Sequence, residues 1–178
     1  MDYLSKEKSV LLVGLNPTEQ AKKHGAVFCQ TNGIWRVIEK SELFKFTGLV
    51  STADIPIADE KDGRYKFYAD NFFGPKSKVG YVDLVTDVFE KKGNKVKVNQ
   101  RYIDKFYSKL NTLNVDKIGL LGKQVTRALF PELKGKKFEY GEIPQSIKVG
   151  GRDVKVFCLP FPETVPMKVE DKAGFYSF

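Results

Sequence analysis

Val10-Leu11-Leu12-Val13-Gly14-Leu15-Asn16-Pro17 is the stretch from which the rest of the chain can be read. Four consecutive apolar residues make a short strand buried on both faces, as in a mainly parallel sheet. The strand stops at once. Gly14 lets the backbone turn or lets another group come close, and Pro17 has no amide hydrogen for a ladder. Asn16 therefore stands on the loop just beyond a strand's carboxyl end, where open α/β sheets carry their ligand chemistry. Asn-Pro is also an ordinary turn dipeptide, and these residues alone leave both readings open.

Leu15 to Thr31 reads as a long loop, and a loop of that length without structure of its own is usually functional. Asn32 reads as the N-cap of a helix whose apolar face is Ile34, Trp35, Val37 and Ile38, continuing to Leu43. Phe44 to Lys78 reads as an inserted connection. It offers a short strand at Phe46–Val50, a turn over Ser51–Pro56, a charged loop over Asp59–Arg64 and one short helix in the aromatic-rich Tyr65–Phe73.

Val79 to Val85 returns to the core as a strand, and a lysine-rich loop follows over Asp87–Lys97 with one helical turn. Asn99 to Asn111 places Tyr102, Ile103, Phe106, Tyr107 and Leu110 on one helical face. Val115 to Leu121 is a further strand. Gly122 then opens a helix through Phe130, stopped by Pro131, whose start can present free N–H groups to an anion with Lys123 beside them. Ser146–Val149 and Asp153–Leu159 flank Gly150-Gly151-Arg152, a hairpin signal. Pro160-Phe161-Pro162-Glu163 ends the last strand, and a short tail follows.

Strands separated by helices predict one α/β domain over residues 1–178, a three-layer sandwich with a central, mainly parallel sheet flanked by helices. Its ligand loops would be Gly14–Thr31, Leu121–Gln124 and Pro160–Glu163.

With 178 residues, 42% hydrophobic, the chain can bury one real core and hardly two. It contains no apolar run near the roughly 20 residues of a membrane span, and Met1 to Lys8 lacks the apolar core of a signal peptide. A cytoplasmic protein is expected.

The two cysteines, Cys29 and Cys158, cannot make a four-thiolate site, and a single histidine, His24, excludes a cluster of several histidines. His24 reads equally as an exposed side chain or a ligand contact. Leu120-Leu121-Gly122-Lys123-Gln124 lacks the glycine that a phosphate-binding loop needs five residues before Gly122. The net charge of +8 is carried wholly by residues 76–155, which hold 18 basic and 9 acidic side chains. That pattern suits a polyanion such as nucleic acid, or a lysine-rich solvated face. What remains is an Asn that can orient water or read a base edge, an aromatic that can stack, and cations for a phosphate backbone. A base-flipping enzyme needs those parts.

On these residues the chain resembles the uracil-DNA glycosylase superfamily, and most closely its mismatch-specific uracil/thymine branch. Gly14-Leu15-Asn16-Pro17, Phe28 twelve residues after Asn16, and Asn32-Gly33-Ile34-Trp35 are similar to the family's first motif, with Gly33-Ile34 in place of Arg-Phe. Gly80-Tyr81-Val82-Asp83-Leu84-Val85 resembles its G-x-T-[ND]-L-V strand end. Leu121-Gly122-Lys123-Gln124 resembles its L-G-K-x turn, and Leu159-Pro160-Phe161-Pro162-Glu163 stands where its second motif is usually L-P-N-P-S or H-P-S.

The resemblance implies a monofunctional, monomeric glycosylase. It would flip uracil or a related deaminated or mismatched base out of double-stranded DNA and leave an abasic site, with no metal and no cofactor. Asn16 would position the attacking water. The base would meet Gly14, Leu15, Pro17, Thr18, Phe28 and Asn32, and DNA would meet Lys123, Gln124, Phe161, Pro162 and Glu163. The second motif departs from the family. Phe161 can neither donate to a base nor orient water, and Glu163 would repel a phosphate. These departures leave a weakened or inactive nucleic-acid-binding member as the alternative.

Overall fold

The computed structural model describes residues 2–28, 33–49, 61–90 and 93–178. Six strands form one sheet: β1 (Asp2–Tyr3), β2 (Val10–Gly14), β3 (Val79–Asp83), β4 (Lys117–Leu121), β5 (Gly141–Val149) and β6 (Arg152–Leu159). Their order is β1-β3-β2-β4-β6-β5. The four inner strands are parallel, and β1 and β5 pair antiparallel at the edges. The helices are α1 (Glu19–His24), α2 (Gly33–Glu39), α3 (Lys61–Phe73), α4 (Gln100–Leu110), α5 (Lys123–Leu129) and α6 (Val169–Phe175).

Alternation along β2 builds the layers. Leu11 and Val13 point to one face, where they join Phe106 and Leu110 of α4 and Val125 and Leu129 of α5. Val10 and Leu12 point to the other, where they join Ile34, Trp35 and Ile38 of α2 and Phe72 and Phe73 of α3. Helices cover both faces, so the predicted three-layer α/β sandwich is what forms. Among the described residues no helix is long and apolar enough to cross a membrane.

Several local expectations are corrected. Leu15–Thr31 is not a bare loop, because Thr18 accepts a hydrogen bond from the Ala21 amide at 3.1 Å and caps the short helix α1. The helix after Asn32 does not run to Leu43. It ends at Glu39, and Ser41 precedes a separate 3-10 turn, Glu42–Phe46. No strand forms at Phe46–Leu49, where Gly48 turns the chain at φ 76°; Val50, the Ser51–Pro56 turn and Asp59 lie outside the described residues. From Lys61 onward the expected charged loop is the first turn of α3, which spans 13 residues.

Two further corrections concern the chain's two ends. The polar lead contributes β1, and the tail after Glu163 contains α6. α6 anchors the preceding loop: the buried Lys172 ammonium donates to the Pro162 carbonyl, and the Tyr176 hydroxyl donates to the Pro160 carbonyl at 3.0 Å. Lys8, also buried, ends α3 by donating to the carbonyls of Phe73, Gly74 and Ser77 at 2.6–2.9 Å. Such buried ammonium groups are tolerated because carbonyl oxygens replace their hydration.

Candidate active site

The carboxyl ends of β2, β3, β4 and β6 open into one cleft of about 770 Å³. All three expected ligand loops reach it. Gly14, Leu15, Asn16, Pro17, Thr18 and Phe28 come from the first, Lys123 and Gln124 from the second, and Phe161 and Glu163 from the third. Pro162 is buried behind this wall, and Asn32 lies outside the described residues, as does Cys29. Cys158 is buried in the core. His24 faces Gln20, with its Nε2 3.2 Å from Oε1.

Gly14 is a glycine for reasons of space. A Cβ there would lie 2.0 Å from the Tyr81 hydroxyl oxygen and 2.8 Å from an oxygen of Asp83. Parallel pairing sets Gly14 opposite Asp83 and Leu12 opposite Tyr81, and the Tyr81 hydroxyl donates to Asp83 Oδ1 at 2.6 Å. Both side chains are buried and both line the cleft. Burial pushes the Asp83 carboxyl up to about 6, against the opposing pull of its hydrogen bonds. Burial, with the Asp83 charge beside it, pushes the Tyr81 phenol well above its ordinary value.

Asn16 is oriented from one side. Its Nδ2 donates to the carbonyls of Pro17 and Glu90 at 2.9 Å and of Val88 at 3.3 Å. The two amide hydrogens are thus directed at backbone, and among the described residues nothing donates to Oδ1. Its available function is to accept a hydrogen bond from a molecule in the cleft. The same bonds hold the segment 88–90 along the cleft. Gln124 repeats the device by donating from Nε2 to the Gly93 carbonyl at 2.7 Å, and the Lys22 ammonium lies 4.7 Å from the Phe89 ring centre.

Phe28 is half-buried and sits at φ 54°, a left-handed conformation that a bulky residue adopts only where its surroundings demand it. Its ring meets Tyr81 edge-on at 5.0 Å and Trp35 at 5.7 Å. That contact leaves Phe28 as part of the cleft wall.

The second and third loops differ from expectation in detail. Lys123 is held over the rings of Tyr140, at 4.8 Å, and Phe138, at 5.2 Å. Phe161 packs on the core beneath the cleft. Glu163 is turned toward the start of α2: an oxygen of its carboxylate would lie 2.4 Å from a Cβ at Gly33. Gly33 and Glu163 therefore lie side by side, and the glycine leaves room for the carboxylate.

Sequence reasoning placed Asp83 in a motif but not in the site, and it missed Tyr81, Glu90, Gly93 and Tyr140. Asp83 was within reach, because parallel neighbours bring their carboxyl ends together. Glu90 and Gly93 belong to a loop whose path no local pattern determines. Among the described residues no group of three or more metal-binding side chains occurs. No protein-family model matches the chain, and no curated protein is significantly similar to it in sequence.

Proposed function

We propose that the protein is a DNA glycosylase that hydrolyses the N-glycosidic bond of uracil, or of a related deaminated or mismatched base, flipped out of double-stranded DNA. The observation that carries this reading is the convergence of Asn16 and Phe28 on one cleft, roomy enough for a flipped nucleotide, at the carboxyl ends of parallel strands. A flipped base would lie against the Phe28 ring and direct its polar edge inward to the Tyr81–Asp83 pair, whose oxygens accept from ring N–H groups. Asn16 Oδ1 would hold the water that attacks C1′. The C1′–N bond breaks as the C1′–O bond forms, the bonding pair leaves with the base, and the water's proton passes to solvent. The fixed direction of the Asn16 amide supports this role, since an orienting group that is already held costs no reorganisation during the reaction.

The test uses purified protein on duplexes carrying uracil, hypoxanthine or thymine opposite guanine, with abasic sites as the readout. Abasic product that disappears in Asn16→Ala supports the reading. No product from any duplex, with folded protein, refutes it.

A second reading, a weakened member that binds nucleic acid without cutting it, is favoured by one observation. The loop at 160–163 offers the cleft an apolar ring at Phe161 and a carboxylate at Glu163, and no side-chain donor for a departing anionic base. It predicts salt-dependent binding without abasic product.

A further inference from the structure

A second groove, of about 660 Å³, runs along the other flank of α5, between that helix and the start of α4. Its floor is apolar, formed by residues such as Val96, Ile103 and Ala128, and its rim carries Arg127 and Lys134. Gln124 lines both this groove and the cleft, which are therefore neighbours, and it donates to the Gly93 carbonyl on the cleft side. The N-terminus of α4 opens here with no acidic residue in its first turn, and the Asn99 cap leaves the Gln100 and Arg101 amides without a helical acceptor.

The cations of this flank differ from those elsewhere on the basic half. On the β5–β6 hairpin, Lys148 pairs with Asp153 at 3.1 Å, Arg152 with Asp116 at 3.4 Å and Lys155 with Glu142 at 3.0 Å. Lys134 on the rim, Lys97 between the lining residues Val96 and Val98, and Arg101 next to the lining Gln100 are exposed and make no close ion pair among the described residues, although the Arg101 charge reaches Asp87. The nearby Asp104 accepts from Gln100 at 2.9 Å. Positive charge is thus neutralised on the hairpin and left open beside the groove.

We infer that this groove seats the sugar-phosphate backbone of the DNA strand flanking the flipped nucleotide, with deoxyribose on the apolar floor and phosphates at Lys97, Arg101 and Lys134. The inference rests on the DNA reading above and extends it to a surface outside the cleft. A cation that lacks a protein partner gains most from a phosphate, because each phosphate neutralised releases condensed counterions. The continuity over Gln124 gives the strand a path from groove to cleft.

The experiment measures binding of a duplex of about 20 base pairs by fluorescence anisotropy from low to moderate salt. It compares the wild type with two triple variants, Lys97→Ala/Arg101→Ala/Lys134→Ala at the groove and Lys148→Ala/Arg152→Ala/Lys155→Ala on the hairpin. All six side chains are exposed, and thermal melting checks that both variants fold. The groove variant should lose roughly 2–3 units of the slope of log K against log salt, and the hairpin variant less than about half a unit. A steep wild-type slope that survives in the groove variant, or falls equally in both variants, overturns the groove while leaving DNA binding intact. A wild type with no salt-dependent binding overturns the DNA reading and the groove with it. Asn16→Ala should keep the full slope, separating a failure of chemistry from a failure of the groove.

Discussion

Two loops face each other across the cleft and are held in opposite ways. The loop from Gly14 to Phe28 has its polar side chain directed by main-chain contacts, Asn16 by three carbonyls, while the side chains of Tyr81 and Asp83 close in on Gly14. The loop from Pro160 to Glu163 is held from behind, by Lys172 of α6 and by Tyr176 just after it, and offers the cleft a ring and a carboxylate. One wall therefore carries orientable polar chemistry, and the other supplies shape. A site can lose the usual residues of one wall and keep its fold, because the bonds that position that wall do not run through those residues.

If that division holds, the largest effect falls on the polar wall. Asn16→Ala should lower base excision on the order of 10²–10³-fold, about 3–4 kcal/mol of transition-state stabilisation, in single-turnover assays. Phe161→Ala on the opposite wall should cost less than about tenfold. Equal losses would end the distinction between the walls.

Asp83 comes next. Burial, helped by the nearby Asp2 charge and opposed by the Tyr81 hydrogen bond, raises the Asp83 carboxyl from its ordinary 3.8 to about 6. Protonation is thus favoured in the folded state, so its contribution is fully present below pH 4, declines as pH rises, and is gone above about 6. Wild-type stability should fall by up to about 3 kcal/mol across that window relative to Asp83→Asn, measured by denaturant titration at each pH. A matching pH profile in the two proteins would remove Asp83 from the account.

Gly14→Ala should then destabilise by about 1–3 kcal/mol in thermal unfolding, since its methyl group displaces the Tyr81–Asp83 pair. The smallest effect is expected on the shaping wall. Tyr176→Phe leaves the Pro160 carbonyl without its donor and should cost about 1 kcal/mol, with excision unchanged in rate but a looser 160–163 loop in hydrogen exchange.

The sheet was legible because its evidence is local. Val10–Val13, Val79–Val85 and Val115–Leu121 are largely apolar stretches, and the helix expected over Asn99–Asn111 forms as α4, with Asn99 as its cap. The site was half legible. Residues on loops that directly follow strands could be placed from the sheet alone. Tyr81 escaped because a strand residue facing inward looks like core until its hydroxyl finds Asp83. Glu163 lines the cleft as expected of its loop, but its place beside the bare Gly33 of α2, 130 residues away in the chain, could not be read locally. α1 and α6 were missed because each buries a single apolar side chain, Ala21 and Ala173, so no apolar face marks them, whereas the equally short α2 and α5 each bury several side chains.

Because Asn16 grips the carbonyls of residues 88 and 90, its orientation depends on where that backbone runs and not on which side chains it bears. Sequence drift in segment 88–90 would leave the amide untouched, whereas adding or removing one residue would swing it. Anyone grafting a new loop onto this scaffold would be re-aiming the Asn16 side-chain carbonyl while every residue from Gly14 to Pro17 stayed the same.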